Sequence, residues 1–270
     1  MGNPVDHSKS PWIHARFAAL TGEPVEYGKR LIGLDEFPRA VRAFIAEGGK
    51  GCNITVPFKF QAASLVTGRS ERAALAEACN ILSFEGNAIV GDNTDGVGLV
   101  ADLERNAGVR LAGREVLLIG AGGAAAGVLG PLIEAGPRRI VVANRSAGKA
   151  RALVERHAAL AATHGVALQA TALDAVPGRF DVVINGTASS LSGEGVPVGA
   201  GVLRPGALAC DMMYGPAAAG FLQWAREHGA VGRDGLGMLV EQAAEAFLIW
   251  RGVRPPSAQV LAELRQELER

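Results

Sequence analysis

A strand that runs straight into a glycine-rich turn and out into a helix limits this chain more than any other feature. Glu115 to Ile119 reads as a buried-type strand, Gly120-Ala121-Gly122-Gly123-Ala124-Ala125 fits the pattern GxGxx[G/A], and a small-residue helix follows to Ala135. The small residues have separate roles. Gly120 permits the tight turn, Gly122 lets the backbone approach a pyrophosphate, and Ala125 lets helix pack closely on strand. The plain alternative is a tight structural turn. The helix start adds free N–H groups and a positive dipole end, which suit phosphates. A second strand, Arg139 to Ala143, follows at the right distance, so the segment reads as a dinucleotide-binding βαβ unit.

The end of that second strand selects the cofactor. An NAD site places an acid there, on the ribose 2′-hydroxyl. This chain instead has Asn144-Arg145-Ser146, with Lys149 after it. An arginine can stack on adenine and pair with a 2′-phosphate in a fork. A solvated basic helix start fits less well, because helix N-termini disfavour cations. The reading is NADP(H) rather than NAD, held by the turn Gly120 to Ala125 and by Asn144, Arg145, Ser146 and Lys149.

Around this unit the chain falls into three regions. In the first, up to about Asp95, Ser10-Pro11 can cap and start a helix with Ile13, Phe17 and Leu20 on one face and Gly22 as its stop. Asp35 can open a second helix bearing Phe37, Val41 and Phe44. Gly51 to Thr55 reads as a short strand, Pro57 starts a turn of helix that puts Lys59 at a strand-to-helix junction, and Asn80–Phe84 with Ala88–Val90 flank a hairpin turn. The second region, about Gly96 to Arg233, alternates strand and helix: after the two strands above come a helix from Ser146 to about Ala162 and strands at Asp181–Ile184 and Ala207–Cys210. That alternation predicts a parallel sheet. The third region, Gly235 to Arg270, reads as two helices split near Pro255-Pro256.

The chain has 270 residues, 49% of them hydrophobic and 20% charged, which can bury a core and argues against disorder. Lys plus Arg equals Asp plus Glu at 27 each, so nothing pulls the chain as a whole toward nucleic acid or an anionic membrane. Three separate cysteines and five histidines without ligand spacing offer neither a disulfide framework nor a metal site. The start lacks the basic and apolar segments of a secretory signal, and no apolar stretch reaches membrane-spanning length. The expectation is a cytoplasmic protein acting on a small molecule, as a monomer or homodimer.

Four polar clusters sit where the first region turns: Ser8-Lys9-Ser10-Pro11, the run Asn53 to Lys59, Asn80, and Asp92-Asn-Thr-Asp95-Gly96. Singly, each has a plain explanation: Ser10 a helix cap, Lys59 a surface lysine, Asn80 a turn residue, Asp95 an N-cap. Together the stretches GNPVDHSKSP, GGKGCNITVPFK, ERAAL…AEACN, GDNTDGVGL, IGAGGAA, NRS and DGLGMLVEQAAEAF resemble the shikimate dehydrogenase family, in its order and spacing, from residue 2 to about residue 255.

The resemblance implies an α/β fold of two domains, a substrate-binding catalytic domain from 1–95 plus 236–270 and a Rossmann-type NADP domain from 96–235, with the active site in a cleft between them. It implies reversible, NADPH-dependent reduction of 3-dehydroshikimate to shikimate, an oxidoreductase step toward chorismate and the aromatic amino acids. Lys59 would be the acid–base and Asp95 its partner; Ser8 and Ser10 would bind the substrate carboxylate, with Tyr214 near it; Thr55, Asn80 and Gln242 would contact ring hydroxyls. Met213 and Gly237 would border the nicotinamide, and Thr187 would fall in the loop beside the cofactor. The residue types suit the chemistry. A ketone receiving hydride becomes an oxyanion, a nearby ammonium can stabilise it and donate a proton, and a carboxylate can orient that ammonium.

Two departures stand out. Ala125 takes a place where family members often carry Ser. The family also has a strand immediately before its GNP segment, inside the first domain's sheet, whereas this chain begins at Met1-Gly2. Without that strand, its neighbours would lack main-chain partners, and the expectation is that the true start lies upstream. The rival readings are an NAD-using quinate/shikimate dehydrogenase, against which Ser8, Ser10 and Arg145 speak, and a non-catalytic NADP-binding regulatory module, against which Lys59 and Asp95 speak.

Overall fold

Apolar strands alternating with small-residue helices through the middle of the chain build a wholly parallel sheet. The computed structural model describes residues 1–187 and 195–268. Its strands there are β5 (Glu115–Ile119), β6 (Arg139–Asn144), β7 (Ala167–Ala172), β8 (Phe180–Asn185), β9 (Leu203–Asp211) and β10 (Val231–Arg233), in the order β10-β9-β8-β5-β6-β7. Read from the other edge this is 3-2-1-4-5-6, the doubly wound dinucleotide-binding order, with its switch point between β5 and β8. β5 is buried along its whole length, as a strand covered on both faces must be. The helices α6 (Gly123–Glu134), α7 (Ala147–Thr163) and α8 (Ala219–Glu227) connect these strands. Leu117, Val141, Phe180, Val183, Ala209 and Phe221 pack into one core.

The sequence pattern does not mark β7 and β10. β7 is an edge strand of half-exposed Ala, Gln and Thr, and β10 has three residues at the other edge. Neither carries the apolar run of a buried strand.

Met1–Gly98 and Leu239–Arg270 form one unit, and Leu99–Met238 form the other. The crossings lie inside helices α5 (Asp95–Ala101) and α9 (Leu236–Arg251), not at their starts. Immediately after α5 a π-helical turn runs from Asp102 to Asn106.

The first unit holds a mixed sheet of β1 (Gly51–Asn53), β2 (Gly68–Arg69), β3 (Ile81–Glu85) and β4 (Ala88–Asp92), in the order β1-β3-β4-β2. β3 and β4 form the expected hairpin, with Glu85 opposite Ala88. Around it lie α1 (Ser10–Thr21), α2 (Phe37–Ala46), α3 (Lys59–Leu65), α4 (Glu71–Ala76), α9 and α10 (Ser257–Leu268). Two helix starts differ from expectation. α1 is capped at Lys9 and α2 at Glu36, neither through a side chain, so Ser10 is the first helical residue and Asp35 lies outside α2. The main chain of Met1 to Asn3 bonds to both of its flanks. Thr55 N–H donates to Met1 O at 3.0 Å, Asn3 N–H to Val56 O at 2.9 Å, and Ile32 N–H to Gly2 O at 3.2 Å. Gly2 and Leu31 make a single parallel bridge.

His14 on α1 is fully buried, stacked on Tyr27 at 4.2 Å and surrounded by Phe17, Phe247 and Trp250. Burial holds its pKa down to about 3. The imidazole is neutral in the fold and takes a proton in the unfolded chain, so its contribution is intact above pH 6.5 and is lost as pH falls toward 3. Between pH 7 and pH 5 this loss amounts to about 2 kcal/mol. Chemical denaturation of the parent and of His14→Phe at both pH values checks it: the variant should lose less stability than the parent by about that amount.

Candidate active site

In the first unit the ends of three elements meet around one ion pair. Lys59 is the first residue of α3, and its Nζ bonds the Asp95 carboxylate at the start of α5. Their side chains are 13% and 6% exposed, so Lys59 is no surface lysine. Asp95 is not the cap of its own helix. Asn93 Oδ1 accepts from Asp95 N–H at 3.1 Å, and Asn93 Nδ2 donates to Ala78 O at 2.8 Å. The asparagine does the capping, and the Asp95 carboxylate is left for the lysine.

Asn80, immediately before β3, is buried, which sets aside the turn-residue reading. Its Nδ2 donates to Asp95 Oδ1 at 2.9 Å, to Thr94 Oγ1 at 2.9 Å and toward Gln242 Oε1 at 3.3 Å. Its Oδ1 accepts from Thr94 N–H at 2.8 Å. Gln242 comes from α9 and is fixed by its own Nε2, which donates to Leu239 O at 2.8 Å. Lys59, Asp95, Asn80 and Gln242 are thus brought into one hydrogen-bonded cluster. Thr94 and Asn93 belong to it as well. Both lie in the Asp92–Gly96 stretch, but nothing in the sequence alone assigns either a role.

Gly98, one turn along α5 from Asp95, lies against the backbone of α9. A Cβ there would stand 2.6 Å from Gln242 N and 2.9 Å from its Cα. Behind the cluster, Arg72 on α4 grips Asp92 with two bonds of 2.7 and 2.9 Å and reaches Glu245 on α9 at 3.4 Å. Burial pushes the Asp92 carboxyl up, but Arg72 and the Ser70 hydroxyl outweigh it and hold the group below the usual carboxylate range.

Ser8, Ser10 and Thr55 belong to the same unit: Ser8 lies just before α1, Ser10 is its first residue, and Thr55 precedes α3. Ser10 N–H donates to Ser8 Oγ at 3.3 Å, and both residues are half-buried. Tyr27, in hydrogen-bonding reach of Ser10, donates its hydroxyl to Asn53 Oδ1 at 2.6 Å, and burial pushes its phenol up. Thr55 is exposed, in the turn that leads into α3, where its carbonyl accepts from Phe58 N–H at 3.0 Å. The cluster offers a charged donor with its carboxylate and two amides beside them; among the described residues no hydrogen bond joins Ser8, Ser10 or Thr55 to it.

The second unit carries the other predicted residues. Gly120 adopts φ +115°, a conformation reserved for glycine, and a Cβ on it would also press on Gly186 at 3.1 Å. Ala121, Gly123 and Ala124 are half-buried, Gly122 is exposed at the N-cap of α6, and Ala125 is buried. No side chain of the N-cap residue, Gly122, bonds the first N–H groups of α6, which leaves them available to a phosphate. Asn144 Nδ2 donates to Ser146 O at 3.0 Å and shapes the turn after β6, while Arg145, Ser146 and Lys149 are exposed. These residues fit the phosphate and adenosine end of NADP. Thr187 and Met213 follow β8 and β9, and Tyr214 stands half-buried at the start of a short turn, Gly215–Ala218. Gly237 is buried, and a Cβ on it would fall on the Asp102 carboxylate. Close packing is thus a sufficient reason for glycine at this position.

Known proteins give these arrangements a context. Three family models match the chain: the shikimate dehydrogenase substrate binding domain over residues 1–82, shikimate/quinate 5-dehydrogenase over residues 102–192, and the shikimate 5′-dehydrogenase C-terminal domain over residues 235–265. The shikimate dehydrogenase (NADP(+)) of Acidovorax sp. (strain JS42) is 66% identical over 265 residues, covering 98% of this chain and 94% of that protein. The crystal structure of an Ael1 enzyme from Pseudomonas putida superposes with TM-score 0.86 at 47% identity, over 97% of this chain and 96% of its own. Shikimate 5-dehydrogenase from Thermus thermophilus, solved in complex with NADP(H) and shikimate, gives 0.83 at 28% identity, over 98% and 97%.

The close approach of α5 to α9 can be tested directly. Gly98→Ala should lower the unfolding free energy by roughly 1–3 kcal/mol, the usual cost of overpacking. Urea denaturation of parent and variant measures this.

Proposed function

The chain belongs to the shikimate dehydrogenase family, and from that membership we propose that it reduces 3-dehydroshikimate reversibly to shikimate with NADPH. The observation that carries the reading is the contact of Lys59 with Asp95, inside a cluster that also holds Asn80 and Gln242.

NADPH, when bound, supplies the hydride that converts the ketone carbon into an alkoxide. The Lys59 ammonium stabilises the growing negative charge and donates the proton that completes the hydroxyl. In the reverse direction the neutral amine removes that proton. Asp95 aims the ammonium and, through Asn80, is itself held in place. Asn80, Gln242 and Thr55 bind ring hydroxyls, and Ser8 and Ser10 bind the ring carboxylate. In the second unit the Gly120–Ala125 turn and the start of α6 take the pyrophosphate. Asn144, Arg145, Ser146 and Lys149 take the 2′-phosphate end, while Thr187, Met213 and Gly237 border the nicotinamide. The exposed Arg145 and Lys149, in a stretch from Asn144 to Lys149 that contains no acid, support NADP over NAD.

Steady-state assays with shikimate and quinate against NADP and NAD test the proposal. Turnover should be highest with shikimate and NADP; no turnover of shikimate with either cofactor would refute it. Arg145→Ala should raise KM for NADP by about 10-fold or more while leaving that for NAD within about 2-fold, because only the 2′-phosphate pairing is lost. Equal changes in both would make Arg145 a structural residue.

A further inference from the structure

Asp211 is a fully buried carboxylate that the chemistry above does not use, and it lies at the root of the loops carrying Thr187 and Met213. It ends β9, and its register partner Asn185 ends the adjacent parallel strand β8. Partners in register leave the sheet on the same face. Asn185 is 1% exposed, and its Nδ2 donates to Asp211 Oδ2 at 3.2 Å. Met213 N–H donates to Asp211 Oδ1 at 2.9 Å. The other end of the Asn185 amide serves the second loop: its Oδ1 accepts from Thr187 N–H at 3.2 Å and from Thr187 Oγ1–H at 2.7 Å.

Backbone contacts tighten the same arrangement. Met212 N–H donates to Asn185 O at 3.0 Å, and Gly235 N–H donates to Met213 O at 2.8 Å. Gly186 is wedged between Met212 Sδ and Ile119 O, at 3.1 and 3.3 Å from where its Cβ would be, and a Cβ on Gly235 would fall on Met212 O. β8 is the neighbour of β5 across the switch point, so this network stands beside the Gly120 turn.

We infer that Asp211 is a positioning residue: through Asn185 and the Met213 amide it fixes Thr187 and Met213, which border the nicotinamide end of the NADP site. The inference rests on the NADP reading of this unit. Packing alone does not explain a carboxylate here. Its neighbours Ala209 and Cys210 are equally buried and uncharged, and taking a carboxylate out of water is costly unless its oxygens are bonded. What a carboxylate offers is an acceptor at each oxygen, and here one oxygen serves each loop. An amide in its place has a single acceptor and must turn N–H groups toward either Met213 N–H or Asn185 Nδ2.

The test is calorimetric binding of NADP+ and of adenosine 2′,5′-bisphosphate, which carries the 2′-phosphate end and no nicotinamide. Asp211→Asn should weaken NADP+ by about 10-fold or more and leave the bisphosphate within about 2-fold, since one arm of the network is lost while the adenosine end is untouched. Asn185→Ala, which removes the amide joining Asp211 to Thr187 and leaves the Met213 arm in place, should show the same split and carries the test if the first variant does not fold. Equal weakening of both compounds, or no change in either, overturns the inference while the NADP reading stands. A parent chain that binds neither compound overturns that reading and the inference with it.

Discussion

Everything in the first unit is arranged around the contact between the Lys59 ammonium and the Asp95 carboxylate. Two nearly buried charges are expensive to remove from water, and their mutual attraction repays the cost only where further hydrogen bonds complete their shells. Asp95 has such bonds. Asn80 donates to its second oxygen, and Asn93 takes over the capping of α5 that Asp95 would otherwise perform. The requirement explains why chain segments far apart in sequence converge here. The start of α3, the residue before β3, the link Asn93-Thr94 between β4 and α5, the start of α5 and the middle of α9 all contribute to the cluster. Gly98 then allows α9 to approach α5 closely enough for Gln242 to reach Asn80.

The second unit solves a related problem with the same residue types. Asn185 beside Asp211 parallels Asn80 beside Asp95: in each pair an asparagine donates to a buried carboxylate and accepts from a neighbouring N–H. An amide side chain is suited to this, having donors at one end and an acceptor at the other. In one unit the carboxylate faces a lysine, and in the other it anchors two loops at the C-terminal edge of a parallel sheet, where open α/β folds bind their ligands.

Much of this was legible in the sequence. The alternation of apolar runs with helices pointed to the parallel sheet, and the strand, glycine turn and helix of residues 115–135 were placed within a residue or two. Periodicity failed where burial is partial. β2, β7 and β10 lie at sheet edges, and edge strands need no continuous apolar run. The meeting of Lys59, Asp95, Asn80 and Gln242 was legible only through family resemblance, because no local pattern brings Gln242 back to Asn80. Thr94, Asn93 and Asp211 were missed as contributors for a different reason. Each sits close to residues that a motif does mark, but its role depends on partners, Ala78, Asn80 and Asn185, that only the folded chain reveals. Gly237 shows the converse, a motif residue whose identity is accounted for by the Asp102 carboxylate packed against it.

The central claim is that Lys59 and Asp95 act as one unit, and a double-mutant cycle on turnover tests it most directly. Lys59→Ala, Asp95→Ala and the double variant would be assayed for NADP-dependent shikimate oxidation, with denaturation curves to establish that each is folded. Residues that act together are strongly non-additive, so the double variant should retain kcat within about 10-fold of Lys59→Ala alone. If the two losses instead multiply, lysine and aspartate work independently, and the account of the site built on their contact is wrong.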